Sequence, residues 1–311
     1  MGVGMSELRV ILNPEAGRGL AEKMAPRIEA VLRESGVPYR LVRTTAPGHA
    51  IELAREAVAD GCQMVASAGG DGTSHEVLNG LMDGANGHAR ATLACIPAGS
   101  GNDFAVMNGV PEDVEAACRL IAEGGTRTVD VGRVTIDDTI VRYFDNVVGM
   151  GFDGLVNLHA SRVKWLRGMM LYLPVVLKTI FRTLQPMDLE MVVDGQRESR
   201  REMMTIVANG PREGHTFLVA PEARCDDGLF DMIELQEMSR LAMLAAVPTF
   251  LNGTHLKNPK SSQRHVRRVK VSSREPIYLH VDGEVLCETA HKVEVEMFPA
   301  SLQMIGRPTN I

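Results

Sequence analysis

Between residues 8 and about 130, short apolar runs alternate with stretches whose apolar residues recur every third or fourth position. Runs at 8–12 (LRVIL), 39–42, 64–68 (MVASA) and 92–96 (TLACI) predict strands, and stretches at 21–35, 49–60, 74–82 and 114–123 predict the helices that follow them. Regular alternation implies a parallel sheet wrapped by helices, because a parallel neighbour is reached only through a crossover. After about residue 133 the pattern changes. Strand-like runs at 141–148, 189–193, 203–207, 229–235, 266–271, 277–281 and 293–298 are interrupted by two helical stretches, 155–184 and 239–251. Asp-Gly pairs at 194–195, 227–228 and 282–283 mark tight reversals between antiparallel strands. The chain therefore reads as α/β, with a doubly wound parallel-sheet domain over residues 1–132 and a β-rich antiparallel domain over 133–311. The extreme C-terminal segment is expected to pack back on the first domain.

Composition narrows the function. With 311 residues, 45% of them hydrophobic, the chain can bury a large core. A net charge of -6 argues against a general nucleic-acid binder, which needs a basic excess to neutralise phosphates. The five cysteines, Cys62, Cys95, Cys118, Cys225 and Cys287, are odd in number and never paired as C-x-x-C, so neither a disulfide framework nor a zinc site is indicated. Residues 1–10 lack a secretory pattern, and the expected location is the cytoplasm. The most apolar tract, 168–177 (GMMLYLPVVL), is about half the length that spans a bilayer.

Three glycine-rich turns stand at the carboxyl ends of first-domain strands, where open α/β sheets place their ligands. They are Asn13-Pro14-Glu15-Ala16-Gly17-Arg18-Gly19, then Gly69-Gly70-Asp71-Gly72-Thr73, then Pro97-Ala98-Gly99-Ser100-Gly101-Asn102-Asp103-Phe104. Glycine lets backbone N–H groups approach a phosphate closely. One such turn can be a mere tight connection, but three at equivalent strand ends fit a polyphosphate cradle. Asp71 would repel phosphate unless a cation lay between them, and Mg2+ would supply it. A turn carboxylate with that duty is expected to have no packing role. No Walker A loop occurs. Gly149, Gly151 and Gly154 do spell G-x-G-x-x-G after a strand-like run, yet Pro174 stands roughly where a dinucleotide site needs a carboxylate, so a close-packed turn is expected there.

Asn13-Pro14 with Gly17, the run from Gly69 to Thr73 with Glu76 and Asn79-Gly80, and Gly99-Ser100-Gly101-Asn102-Asp103-Phe104-Ala105 resemble the diacylglycerol kinase catalytic-domain family, which includes sphingosine and ceramide kinases. The likeness continues through Asp130-Val131-Gly132, Asn146, Gly149, Gly151, Asp226-Asp227-Gly228 and Asp282-Gly283-Glu284. It implies a first domain like that of NAD kinase, and a transfer of the γ-phosphoryl group from Mg2+-ATP to a lipid hydroxyl. It also implies that Asn13, Pro14, Glu15, Ala16, Gly17, Thr44, Gly70, Asp71, Gly72, Thr73, Ser74, His75, Glu76 and Ser100 line the ATP site. Glu284 and Asp71 would be catalytic, with Glu284 accepting the hydroxyl proton. A structural metal site is implied around Asp227, with backbone carbonyls of Arg224 and Leu229; a hairpin turn held by its own Asp side chain is an equal reading. Two positions depart from the family. His75 replaces its usual asparagine, a change that can make nucleotide affinity pH-sensitive or, equally, leave His75 merely the polar second residue of a helix, and Ser100 replaces its usual threonine.

The lipid would need an apolar slot and a surface contact. Residues 155–184 mix Trp165, Leu166, Met169, Met170, Leu173, Val176, Leu177, Ile180 and Phe181 with Arg162, Lys164, Arg167, Lys178 and Arg182, a pattern that suits a membrane surface or, equally, a helix packed on a sheet. Lys257, Lys260, Arg264, Arg267, Arg268, Lys270 and Arg274 form a second basic run, to attract anionic headgroups or simply to be solvated. An NAD kinase and a catalytically silent lipid-binding protein are the competing readings. Motifs leave the acceptor lipid and any homo-oligomer open.

Overall fold

The computed structural model describes residues 7–84, 87–162 and 169–308. The chain forms two compact units: the first ends at Val131 and takes in the chain again from Phe298, and the second is Gly132–Met297.

In the first unit, β1 (Leu8–Leu12), β2 (Tyr39–Arg43), β3 (Met64–Gly69) and β4 (Thr92–Pro97) pair in parallel in the order β2-β1-β3-β4. Helices α1 (Leu20–Glu34), α2 (His49–Ala59), α3 (Asp71–Met82), α4 (Asp103–Met107) and α5 (Val114–Glu123) connect or follow them. Because parallel strands are covered on both faces, they read as continuous apolar runs, and Val10, Ile11, Leu12, Val65, Leu93 and Ile96 are fully buried. The buried side of α5 is Val114, Ala117, Cys118 and Ile121, at helical spacing. Its ends are set chemically: the Asp113 carboxylate accepts from Ala116 N, and Gly124 closes the helix in the left-handed region at φ 71°.

The second unit is built from strands. The parts of β5 (Thr126–Ile136) and β14 (Ala290–Ile305) that fall in it are joined by β6 (Ile140–Phe144), β7 (Val147–Gly151), β8 (Met187–Val193), β9 (Gln196–Ala208), β10 (Phe230–Gln236), β11 (Ser261–Val266), β12 (Arg268–Ile277) and β13 (Leu279–Val281). Strands β11-β10-β9-β8-β12-β14 are successive antiparallel neighbours, and β7 pairs with β9 and β13. Strand β8 alternates buried and exposed side chains, as a sheet with one wet face requires. Inside, Phe144 stacks on Phe230 with ring centroids 5.5 Å apart. A second apolar cluster packs α6 (Phe152–Ser161), α7 (Met169–Lys178) and α8 (Arg240–Ala246) on the sheet through Phe152, Val156, Val176, Ile180, Met204 and Met243.

Several expectations are corrected here. The run 141–148 is two strands, because the chain breaks at Asp145 and Asn146, whose amides turn to another segment. The run 266–271 is split by Arg267 between β11 and β12. The helical stretch 155–184 is α6, α7 with Pro174 inside it, and a π turn at Thr179–Thr183. Lys164, Trp165, Leu166 and Arg167 lie outside the described residues. Helix α3 begins at Asp71 rather than at residue 74, and α4 was not foreseen. Gly149 and Gly151 sit on β7 and Gly154 in α6, where a Cβ on Gly154 would lie 2.2 Å from the Tyr278 carbonyl, so these glycines serve close packing.

Glu202 on β9 is 1% exposed, and burial first, with Glu234 beside it, pushes its carboxyl from near 4.5 up to about 8. A carboxyl raised in the folded state contributes stability below its unfolded value and loses it as pH climbs towards the folded one. Glu202→Gln should therefore melt close to wild type at pH 5 and above it at pH 8. A melting difference that stays constant across that range in thermal scans would show that Glu202 is not held protonated.

Candidate active site

Each glycine-rich segment of the first unit leaves the end of a parallel strand, and the three are packed backbone against backbone. A Cβ on Gly99 would lie 2.2 Å from Gly70 Cα, and one on Gly17 would lie 2.6 Å from the Ala98 carbonyl. Only glycine permits those approaches. Hydrogen bonds tie the same segments together: Asn13 N donates to the Ala68 carbonyl, Asn13 Nδ2 to Thr73 Oγ1 (3.2 Å), and Asp71 N to the Gly101 carbonyl.

Asp71 is the hub. Its Oδ2 accepts from Asp103 N at 3.1 Å and its Oδ1 from Phe104 N at 3.2 Å, so the carboxylate caps the start of α4 from a different loop. The expectation that it has no packing role is corrected. The cap does not disqualify it for a cation, since each carboxylate oxygen carries two lone pairs.

The residues expected around ATP separate by where they point. Asn13, Pro14, Ala16, Gly17, Gly70 and Asp71 are partly exposed along the loop rims, Glu15, Gly72 and Ser100 are exposed, and Thr44 follows β2 with its amide on Leu12 O. Others face inward. Ser74 Oγ on α3 bonds Ser67 Oγ on β3 at 2.9 Å, His75 is 1% exposed, and Thr73 is held by Asn13. The Glu76 carboxylate accepts from Gly48 N (2.8 Å) and Ala50 N (3.0 Å), which makes it the cap of α2.

In the second unit, the Val281–Glu284 reversal is closed by two backbone bonds, Val281 N to Glu284 O and Glu284 N to Val281 O. Asp282 and Gly283 take positive φ, 49° and 80°, as a type I′ turn requires. The Asp282 carboxylate accepts from Asp145 N, Asn146 N and Val147 N, which clamps the turn onto the break between β6 and β7. Glu284 is half-buried at its end. Behind it lies a constellation that sequence reasoning missed: buried His280 reaches Asp153 Oδ2 at 2.9 Å and Glu213 Oε1 at 3.2 Å. Asp153 and Glu213 also form the polar end of a narrow apolar cleft lined by Phe152, Met204, Ile206, Phe217 and Phe250.

Comparison with known proteins joins these features. Residues 7–134 match the diacylglycerol kinase catalytic domain model, and residues 146–306 match the model of the YegS C-terminal NAD kinase beta sandwich-like domain. The chain is 32% identical over 303 residues to a diacylglycerol kinase of Mycobacterium tuberculosis, covering 97% of this chain and 95% of that one. It is 30% identical over 282 residues to the Bacillus subtilis diacylglycerol kinase, covering 90% of each. The chain belongs to the diacylglycerol kinase catalytic-domain family. It is a lipid kinase, and kinase membership implies ATP. A solved diacylglycerol kinase of Bacillus anthracis shares the fold, with a TM-score of 0.75 at 22% identity and 100% of both chains covered.

Two other regions change the picture given by this family's motifs. Asp227 Oδ1 accepts from Leu229 N at 3.0 Å, and Arg224 pairs with Asp226, so this turn is held by its own side chains. The basic run is neutralised in part: Arg264 pairs with Glu198 and Glu234, Arg268 with Glu294 and Glu296, and Lys270 with Glu294, so its strand residues form a salt-bridged face.

Because Asp71 caps α4, Asp71→Ala should lower the melting temperature as well as abolish activity. A lost cap costs about 1 kcal/mol, or roughly 3 °C in a protein of this size. Asp71→Asn, which keeps one acceptor, should melt in between. An alanine variant that melts with wild type would show that these two bonds carry no stability.

Proposed function

We propose that this kinase transfers the γ-phosphoryl group of ATP to the free hydroxyl of diacylglycerol, with Mg2+ required. The observation that carries this reading is the packing of three glycine-rich loops at the ends of parallel strands, backbone against backbone at Gly17–Ala98 and Gly70–Gly99, with the Asp71 carboxylate tying the second loop to the third. The names of the relatives support the acceptor. On this reading the rim residues Asn13, Pro14, Glu15, Ala16, Gly17, Gly70, Asp71, Gly72 and Ser100, with buried Thr44 beside them, contact the nucleotide, whereas Thr73, Ser74, His75 and Glu76 hold the loops from behind.

Glu284 is the proton acceptor. As the lipid oxygen attacks the γ-phosphorus, its proton passes to the Glu284 carboxylate, a P–O bond forms, and the bond to the departing ADP oxygen breaks. When bound at the phosphates, Mg2+ neutralises charge that develops on their oxygens. Asp71 offers a carboxylate for it, and the backbone carbonyls of Arg224 and Leu229 with the Asp227 carboxylate form an all-oxygen donor set suited to a second, structural Mg2+. The apolar cleft ending at Asp153 and Glu213 would receive an acyl chain. It now admits about 30 Å³, a single water's share, so its walls must part for a chain to enter.

No helix among the described residues is long and apolar enough to cross a membrane. On α7 and the π turn, Val175, Val176 and Ile180 are buried, whereas Leu173 (54% exposed) and Phe181 (45%) point outward beside exposed Lys178 and Arg182. That mixed face supports peripheral contact with a lipid surface from the cytoplasm.

Incubation with labelled ATP and separate vesicles of diacylglycerol, ceramide and phosphatidylglycerol, with NAD as a further acceptor, tests the substrate. Diacylglycerol should be phosphorylated fastest, and preference for any other acceptor overturns the assignment. Glu284→Gln should lower turnover by roughly 100-fold, the contribution typical of a general base, with ATP affinity unchanged. A matched loss of ATP binding would make Glu284 a nucleotide contact instead. Stripping metal with excess chelator should abolish turnover until Mg2+ is restored, and full activity without metal would remove Mg2+ from the mechanism.

A further inference from the structure

The buried trio behind the Glu284 turn has the composition of a metal site, with three ligand atoms of Asp153, Glu213 and His280 lying within 4.8 Å of one another. One bond decides against that use. Gly283 N donates to His280 Nδ1 at 3.0 Å, so Nδ1 must offer a lone pair and carries no proton. A neutral ring then bears its hydrogen on Nε2, the atom that faces both carboxylates, and no lone pair remains there for a metal.

Charge within the trio pulls the other way, and the bond from Gly283 decides. The two carboxylates beside a buried ring pull it towards imidazolium, up to about 9, although burial itself opposes the charge. The amide aimed at Nδ1 excludes that second proton. Glu213 is the neighbour whose carboxyl is driven up, to about 8, by burial first and by Asp153 second. Glu213 is further fixed by Asn157 Nδ2 at 3.2 Å. Space is reserved for the arrangement as well: a Cβ on Gly149 would lie 2.1 Å from Asp153 Oδ2 and 2.3 Å from His280 Nε2.

We propose that His280 is a positioning residue for phosphoryl transfer, its Nδ1 holding the Gly283 amide and so aiming Glu284, while Asp153 and Glu213 hold the ring from the opposite side. The same two carboxylates close the apolar cleft, so the trio joins the proposed acyl slot to the turn that carries the base. The proposal rests on Glu284 being that base, and its test separates the two ideas.

His280→Asn places an acceptor near the Nδ1 position, whereas His280→Gln reaches the carboxylates but leaves Gly283 without its acceptor. In steady-state assays, His280→Gln should lower kcat by about 30-fold and His280→Asn by less than about 5-fold, with KM for ATP unchanged, as expected when a reacting group is misaimed by a fraction of an ångström. Combined with Glu284→Gln, His280→Gln should cost nothing more, because residues acting as one unit are non-additive. Equal losses in both His280 variants, or an undiminished loss in the Glu284→Gln background, would overturn the proposal while leaving the base assignment standing. Wild-type turnover in Glu284→Gln alone would overturn the base assignment, and this proposal with it. Should the variants not fold, nitrogen-15 spectra of wild-type histidine decide: His280 should be neutral with its proton on Nε2, and a proton on Nδ1 at pH 7 would overturn the proposal.

Discussion

At several breaks between elements, backbone N–H groups are left without ladder partners, and aspartate carboxylates from distant segments collect them. Asp71 takes Asp103 N and Phe104 N, Asp282 takes three amides from Asp145 to Val147, Asp194 takes Arg267 N and Arg268 N, and Asp137 takes His291 N and Lys292 N. An orphaned buried amide costs about 1–3 kcal/mol, and a charged acceptor binds it more strongly than a neutral one. Since one carboxylate can take two or three amides, each aspartate fixes a whole turn. Loop geometry in both units follows from these bonds.

That constraint bears directly on phosphoryl transfer, which asks little of a protein beyond positioning and charge stabilisation. Loops that had to be ordered when ATP arrived would spend binding energy on their own entropy. Here the second and third glycine-rich loops already share a backbone contact at Gly70 and Gly99 and an ionic cap at Asp71. The turn bearing Glu284 is held independently, by two backbone bonds, by Asp282 and by His280. Asp71 and Glu284 are thus both carried on segments whose conformation is set by bonds within the chain.

Much of the fold was legible because parallel strands are buried on both faces and declare themselves as apolar runs. LRVIL at Leu8–Leu12 and the helix Val114–Glu123 match their sequence boundaries. Elements whose limits depend on distant partners were not legible. The strand break at Asp145 exists because Asp282, far along the chain, takes the amides there, and α4 starts at Asp103 because Asp71 caps it. The candidate site was legible at its glycines and at the Asp-Gly-Glu turn, but not in depth. Residues Ser74 and Glu76 belong to the same motif as Asp71, yet helical geometry turns the first into the sheet and the second onto the start of α2.

Two groups of glycines in this chain look alike on paper and differ in what crowds them. At Gly70 and Gly99 the space that a Cβ would need is taken by another loop's backbone, while the loop rims remain partly exposed. At Gly149 it is taken by Asp153 and His280, and at Gly154 by the Tyr278 carbonyl, deep in the second unit. The G-x-G-x-x-G spelled by Gly149, Gly151 and Gly154 follows a strand and opens a helix, which is the local context of a dinucleotide fingerprint. It fails as one because β7 lies between antiparallel neighbours, so its end is not a parallel-sheet crevice. Glycine records only that something approaches closely. Whether that is a phosphate, a backbone or a buried aspartate–histidine pair is decided by the strand direction around it, and here the same residue type lets the glycine-rich loops pack in one unit and makes room for the Asp153–His280 contact in the other.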